Sequence, residues 1–387
     1  MTPGAADRFA TSAAAYVHIP FCSAVCPYCD FAVVAGQDEL AERYVDAVCA
    51  EIASDTPWRH LEAVYFGGGT PSHLEPRFLE SVLMSLTDRH GISPDAEVSL
   101  EANPEDFSPK RAGRLMEAGF NRISFGAQSF DPGVLSSLGR RHGAAEIEKS
   151  MAAARDAGFE NVSIDMIYGT PGETDAAWAA SLRSGIDLEP DHVSCYALTV
   201  EAGTPLGRAV RDGAPSPDPD TQADRYEIAD RELAAAGFER YEVSNWARPG
   251  HECRYNLTVW AQGEYVAYGN GAHGFRDGRR YRNHRRVDAY IERMETERSP
   301  RAGHEIIEGW GAELDRLFVG LRRTVGVSVG AGTERLLSSA EGRALLESEV
   351  ISKENGRVVI TQPLLTDAVH RSVLDQTAPI VMVENDA

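Results

Sequence analysis

The chain has no apolar run that approaches membrane-spanning length, so no integral membrane segment is expected. Positive charge is scarce: 38 Lys and Arg face 59 Asp and Glu, for a net charge of −21. A duplex or a tRNA would meet a repulsive field, which excludes nucleic acid as the expected partner. Residues 1–15 lack a basic-then-apolar signal pattern. No internal repeat or low-complexity segment stands out. Cysteine is sparse, six in 387 residues, and three of the six fall in one short stretch, which argues against a disulfide framework. Cys49, Cys195 and Cys253 are scattered and read as small buried hydrophobes. The expected compartment is a reducing cytoplasm. At 43% apolar residues the chain can bury a large core, and its length suits a barrel plus a smaller unit.

What is present centres on Tyr16-Val-His-Ile-Pro-Phe-Cys22 and its continuation to Cys26 and Cys29. Three thiolates in a C-x3-C-x2-C run, just after a short apolar strand, can wrap a soft metal site. Tetrahedral zinc normally takes four ligands, and no fourth Cys or His lies at a matching spacing nearby. A [4Fe–4S] cluster suits the run better, because three cysteines hold three irons and leave one iron open. Zinc and three unrelated buried cysteines stay as the alternatives. The second motif is Gly67-Gly-Gly-Thr-Pro71, where glycines allow a ligand to approach the backbone, or simply form a tight turn.

Short apolar runs at 16–19, 63–66, 97–100, 122–125, 162–167 and 192–198 predict six strands. Helical patterns at 39–52, 76–88, 109–118, 144–157 and 175–187 separate them, and Ala118-Gly119, Ala157-Gly158 and Ser184-Gly185 read as helix ends. Such alternation predicts an α/β fold with a parallel sheet curved toward a partial barrel. Polar groups gather just after the strands, on the face barrel enzymes use: Glu101, Gln128, Arg140, Arg141 and Asp165. Each alone reads as a strand-end cap or a surface charge.

Taken together, the matching pieces resemble the radical S-adenosylmethionine (SAM) proteins of the oxygen-independent coproporphyrinogen III oxidase family, and within it the haem chaperone HemW branch. They are Tyr16-Val-His-Ile-Pro-Phe-Cys22, Cys26-Pro-Tyr-Cys-Asp-Phe31, Tyr65-Phe-Gly-Gly-Gly-Thr-Pro-Ser72, Glu101-Ala-Asn-Pro-Glu105, Phe125-Gly-Ala-Gln-Ser-Phe130 and Ile164-Asp-Met-Ile-Tyr-Gly169. The resemblance implies cluster ligation by Cys22, Cys26 and Cys29, with SAM on the open iron. It implies SAM contacts from Tyr16, Gly68, Gly69, Thr70, Glu101, Gln128, Arg140 and Asp165, and adenine contact from Ala197. It further implies a partial (β/α)6 radical SAM barrel followed by a smaller C-terminal α+β domain of helical, winged-helix-like character. The expected divisions are 1–245 for the barrel, 246–299 as a connecting segment, and 300–387 as the accessory domain.

The decarboxylating oxidases carry a further cysteine two residues after the third cluster cysteine; here that position is Phe31, and only fifteen residues precede the first strand. Both differences favour a haem chaperone that binds a [4Fe–4S] cluster, SAM and haem, with haem-recipient proteins and an electron donor as partners. The alternatives are an oxygen-independent coproporphyrinogen III dehydrogenase, working by radical SAM oxidative decarboxylation, or a radical SAM enzyme acting on another tetrapyrrole. Where chaperone-branch proteins read His-Asn-x-x-Tyr-Trp, this chain reads Tyr255-Asn-Leu-Thr-Val-Trp260. Tyr255 and Trp260 are therefore the candidate haem residues, with His251 and His273 as substitutes and packing roles as the alternative. Gly269-Asn-Gly-Ala-His-Gly274 is another glycine-rich turn, and the basic run 276–286 suits tetrapyrrole propionates or the chain's own carboxylates. A helix is expected near 221–236, after the Pro-rich stretch 213–220. Beyond 300, helices near 313–322 and 334–346 precede a hairpin at 350–360, turning at Asn355-Gly356, and a last helix at 364–374.

Overall fold

The computed structural model describes residues 7–375. The first strand, β1 (Ala13–Ile19), is followed by β2 (Leu61–Gly68), β3 (Ile92–Ala102), β4 (Arg122–Gln128), β5 (Asn161–Tyr168) and β6 (His192–Ala197), each paired in parallel with the next. The crossovers carry α1 (Ala41–Ser54), α2 (Pro76–His90), α3 (Pro109–Glu117), the short α4 (Pro132–Ser137), α5 (Ala144–Ala157) and α6 (Asp175–Ile186). All six expected strands and the five expected helices form. Proline at the first turn of α2 and α3 fits because that N–H lacks a helical partner anyway. Side-chain caps start several helices: the Ser108, Asp131 and Thr174 oxygens accept from Arg111, Val134 and Ala177 N–H groups.

Gly119 and Gly158 take positive φ (103° and 104°) just past their helices, as helix ends require. Gly185 is different. It lies inside α6, and a Cβ there would sit 2.7 Å from Ile164 Cδ1, so close packing of α6 on β5 explains it rather than a helix end.

After β6 come α7 (Pro205–Arg211), α8 (Pro219–Ala235) and the antiparallel pair β7 (Glu239–Glu242) and β8 (Asn245–Ala247), which closes the β6 edge. The stretch 246–299 does more than connect. It supplies α9 (Arg254–Trp260), then β9 (Glu264–Tyr268), which pairs in parallel with β1, then β10 (His273–Arg276), β11 (Arg279–Asn283) and α10 (Val287–Glu295). With β12 (Arg301–Ile306) the sheet has, among the described residues, twelve strands, in the order β12-β11-β10-β9-β1-β2-β3-β4-β5-β6-β8-β7. It is curved but not closed into a ring. One core cluster fills the space between sheet and helices, built on Val17, Ile19, Val64, Phe66, Leu100, Phe125, Ile164 and Trp178.

The C-terminal unit has a separate small core of Leu317, Leu321, Val327, Leu336, Val358 and Val369. It comprises α11 (Gly309–Gly320), β13 (Val327–Ser328), α12 (Ala331–Ser338), α13 (Ala340–Glu347), the hairpin β14 (Ile351–Glu354) and β15 (Arg357–Ile360), and α14 (Thr366–Leu374). The expected helix at 334–346 is two helices, because Ser339 is extended and caps the second through the Gly342 N–H at 2.9 Å. Asn355 and Gly356 both take positive φ at the hairpin turn, as expected. Residues 376–387 of the expected accessory domain lie outside the described residues. Among the described residues no helix is long and apolar enough to cross a membrane.

Candidate functional site

The cysteine loop leaves the C-terminal end of β1 and is tied at both ends. Phe21–Cys22 pairs in parallel with Val34–Ala35, and Val34 N–H donates to the Pro20 carbonyl at 2.9 Å. Further along, the Ala32 carbonyl accepts from His18 Nε2 (3.0 Å) and Asn270 Nδ2 (3.2 Å). Because His18 Nε2 must donate there, its Nδ1 accepts from Tyr16 Oη at 3.2 Å. Burial lowers the His18 pKa to about 4, so the ring is neutral and this tautomer is fixed.

Cys22, Cys26 and Cys29 are all free thiols. Burial pushes Cys22 up to about 11, with small additional rises from Cys29 and Cys26. Cys29 is likewise raised, chiefly by burial. A metal centre binds such thiols as thiolates, and their protons leave to solvent when it does. Among the described residues no three His, Cys, Asp or Glu side chains converge on one metal-ion position. A cubane takes one thiolate on each of three separate irons, so three sulfurs spaced along one loop fit it.

The sulfurs are held from one side by a line of polar side chains. Thr70 Oγ1 donates to Cys22 Sγ at 3.6 Å and Arg140 Nη1 to Cys26 Sγ at 3.3 Å. Asn103 joins them: its Nδ2 donates to Thr70 Oγ1 at 2.9 Å, and its Oδ1 accepts from Arg140 Nη2 at 2.5 Å. Gly69 and Thr70 N–H groups donate to the Ile19 and Phe21 carbonyls, which sets the glycine loop of β2 beside the cysteine loop. Arg140 Nε is buried and has no partner, leaving one donor available to a bound carboxylate.

Inside the partial barrel, Tyr16, Tyr65, Glu101, Gln128, Asp165 and Ala197 are partly exposed positions on the parallel strands. They are surrounded by protein yet reached by solvent, so they line one interior space. Register aligns them, with Tyr16 beside Tyr65, Glu101 beside Ser124 and Asp165 beside Ser194. Glu101 accepts from Tyr65 Oη at 2.9 Å and from Gly68 N–H at 3.0 Å, and Ser124 Oγ donates to Asp165 at 3.0 Å. Burial first, then the Asp165 charge, raises Glu101 to about 7. Asp165 is raised too, mainly by burial. Gln128 holds a left-handed φ of 64° where the β4–β5 register breaks, a strained position for a side chain at a strand end.

The three glycines are required by the protein itself. A Cβ would lie 2.9 Å from Tyr65 at Gly67, 2.3 Å from the His18 ring at Gly68, and 2.7 Å from the Pro20 backbone at Gly69. A cradle this tight admits no side chain at these three positions, so the loop presents peptide backbone to a ligand.

The haem candidates do not come together. Tyr255 enters the barrel interior and stacks on Tyr65 (5.2 Å between centroids) and Tyr16 (5.8 Å), with Tyr265 edge-on at 5.9 Å. Burial raises its pKa well above the ordinary phenol value, so a tyrosinate is disfavoured. Trp260 faces the C-terminal unit instead, where Arg322 lies 4.5 Å over its ring. His251 is near Asp191, which precedes β6, at the opposite end of the barrel from the cysteines. His273 is exposed and starts β10, directly across from Arg282 and two residues after Gly271, whose Cβ would meet Ala32 Cβ at 2.8 Å. The basic run is largely spent on the chain's own carboxylates: Arg276 on Asp55, Arg280 on Asp315, Arg285 on Asp30 and Arg286 on Asp288. The turn at 269–272 braces the cysteine loop through Asn270, which also bonds Tyr44 Oη and the Arg285 carbonyl.

Sequence reasoning passed over Asn103, His18, Tyr65 and Asn270. Asn103 lay inside a quoted motif and His18 inside another, but what each contacts is set by loops far away in sequence.

Residues 16–184 match the radical SAM superfamily. The chain is 38% identical to the heme chaperone HemW of Mycobacterium tuberculosis across 96% of this chain and 97% of that one. It is 35% identical to the heme chaperone HemW of Bacillus subtilis across 90% and 94%. Its fold is similar to that of coproporphyrinogen III oxidase HemN from Escherichia coli, a radical SAM enzyme, with a TM-score of 0.81 at 20% identity over 96% of this chain and 93% of that one. A curved parallel sheet carrying three cysteines and a glycine loop at its C-terminal edge defines a radical SAM protein, and that class implies a [4Fe–4S] cluster and SAM as cofactors. Within it, the chain belongs to the HemW family.

Proposed function

We propose that the protein is a haem chaperone: it holds a [4Fe–4S] cluster on Cys22, Cys26 and Cys29, binds SAM beside it, and carries haem to recipient proteins. The observation that carries the reading is near full-length similarity to proteins named heme chaperones. Phe31, where a further cysteine would stand in a decarboxylating oxidase, points the same way and is 68% exposed beside the cluster loop.

Bound there, the cluster and SAM supply one-electron chemistry; the chain supplies position and exclusion of water. Arg140 Nε offers a donor to the SAM carboxylate, and the Gly68–Thr70 edge faces its ammonium group. Asp165 and Glu101 serve the ribose hydroxyls, with Gln128 and Ala197 at the far side. Tyr16 donates its hydroxyl proton to His18, so toward a ligand its oxygen can only accept.

For haem iron, His273 is the side chain best suited. It is exposed on one side, lies on the same face as the cysteines, and its pKa is lowered by the partial enclosure of its other side and then by Arg282 and Arg280, which keeps the imidazole free to ligate. Exposed Arg282 across the strand pair suits a propionate. Anaerobic titration of the cluster-loaded protein with haem, with and without SAM, tests this. A Soret band that saturates, and that Tyr255→Phe leaves unchanged while His273→Ala shifts, is expected. No Soret band, or vinyl products from added coproporphyrinogen III, defeats the chaperone reading.

A further inference from the structure

We infer that Asn103 is a positioning residue that aims hydrogen-bond donors at two cluster thiolates and thereby raises the cluster's reduction potential; the inference rests on the cluster reading above. Asn103 follows β3 and touches neither sulfur. Its carboxamide sits between Thr70 and Arg140, which do. The amide orientation is dictated by chemistry, because a guanidinium only donates and so requires Oδ1 on the Arg140 side. The Nδ2 group is then left facing Thr70 Oγ1, where it donates. A hydroxyl that accepts from an amide must send its single proton elsewhere, and the acceptor within reach is Cys22 Sγ. Thr70 is 3% exposed, so water does not compete for that proton.

The other arm works by restriction. Arg140 Nη2 is engaged by Asn103 Oδ1 and by the Gly126 carbonyl at 3.1 Å, which leaves Nη1 directed at Cys26 Sγ. Behind it, Glu105 stands 4.0 Å from Nη2 and is itself held by His142 at 2.8 Å. One carboxamide thus orients an O–H and an N–H onto two of the three thiolates. Donors to cluster sulfurs favour the more negative, reduced state, so their loss lowers the potential.

The test is the midpoint potential of the reconstituted full-length protein, followed by EPR, together with resonance Raman of the Fe–Sγ bands in H2O and D2O. Asn103→Asp keeps size and the Arg140 contact but turns Nδ2 into an acceptor, which draws the Thr70 proton off the sulfur. Thr70→Val removes the same proton with no change of charge. Each single variant is expected to lower the potential and to lose the part of the D2O sensitivity of the Fe–Sγ bands that Thr70 gives Cys22, the Arg140 part at Cys26 remaining, whereas Thr70→Ser keeps both near wild type. In the Thr70→Val background, Asn103→Asp is expected to shift the potential by less than it does alone. An equal shift in both backgrounds would reduce Asn103→Asp to a remote charge and overturn the inference. So would Thr70→Val with unchanged potential and bands. If Thr70→Val takes up no cluster, the D2O sensitivity of Asn103→Asp against wild type decides. A wild-type protein that binds no cubane sinks the cluster reading itself, a distinct failure.

Discussion

Glu101 is a carboxyl group that the barrel interior holds well above its ordinary pKa. Folded, it keeps its proton up to about pH 7, against an ordinary value of 4.5, because it is enclosed and faces Asp165. Between those two pH values the folded chain binds more protons than the unfolded one, so stability falls as pH rises through that window, by about 1.4 kcal/mol per unit at most. Denaturant midpoints of the cluster-free protein from pH 5 to 8 are expected to drop more steeply for the wild type than for Glu101→Gln; parallel profiles would contradict this. Gly68→Ala is expected to cost about 2–3 kcal/mol, since φ is +111° and the methyl would enter the His18 ring. A lowered denaturant midpoint at constant slope checks it. At this scale the sequence was legible wherever chemistry is local: three cysteines and three glycines name their own neighbourhood. It was silent on His18, whose role depends on Ala32 and on a glycine of the next strand.

Among elements, the β9–β10 turn has the widest reach. Asn270 is buried and ties the Ala32 carbonyl, Tyr44 and the Arg285 carbonyl together, while the neighbouring Gly269 N–H is held by buried Glu51 at 3.0 Å. Asn270→Ala leaves several of these groups unpaired, at a cost of roughly 1–3 kcal/mol. The expected outcome is faster iron loss to a chelator with the circular dichroism spectrum unchanged; an unaltered rate would show that the turn does not brace the loop. The six βα units were legible because each strand and helix repeats a simple apolar period. β9 was not, since a five-residue stretch beside β1 gains its meaning from a partner some 250 residues earlier. The same holds for Tyr255, which the sequence presents as a motif residue and the fold presents as a member of a tyrosine stack.

For the whole molecule, the large core under the sheet and the small C-terminal core define what can be separated. The C-terminal unit meets the barrel side through polar links: Thr324 N–H to the Tyr241 carbonyl, Arg322 to Glu242, Gln262 and Arg280 to Asp315, and Arg357 to Asp7. None of these touches the cysteine loop. A chain ending after β12 is therefore expected to bind iron at wild-type stoichiometry, whereas one ending at 245 is expected to bind little, because it lacks β9 and Asn270. Iron and sulfide per chain after reconstitution measure both. Equal loading of the two would show that the first six strands suffice.

That dependence has a consequence for how the protein is made. The clasp between Ala32 and Asn270 spans 238 residues. At ~5–20 residues per second, a ribosome needs on the order of 10–50 s to deliver the second half after the first. Throughout that interval the nascent cysteines stand outside any finished binding site, so cluster insertion belongs after β9 and the Asn270 turn have been made rather than when the cysteines first emerge.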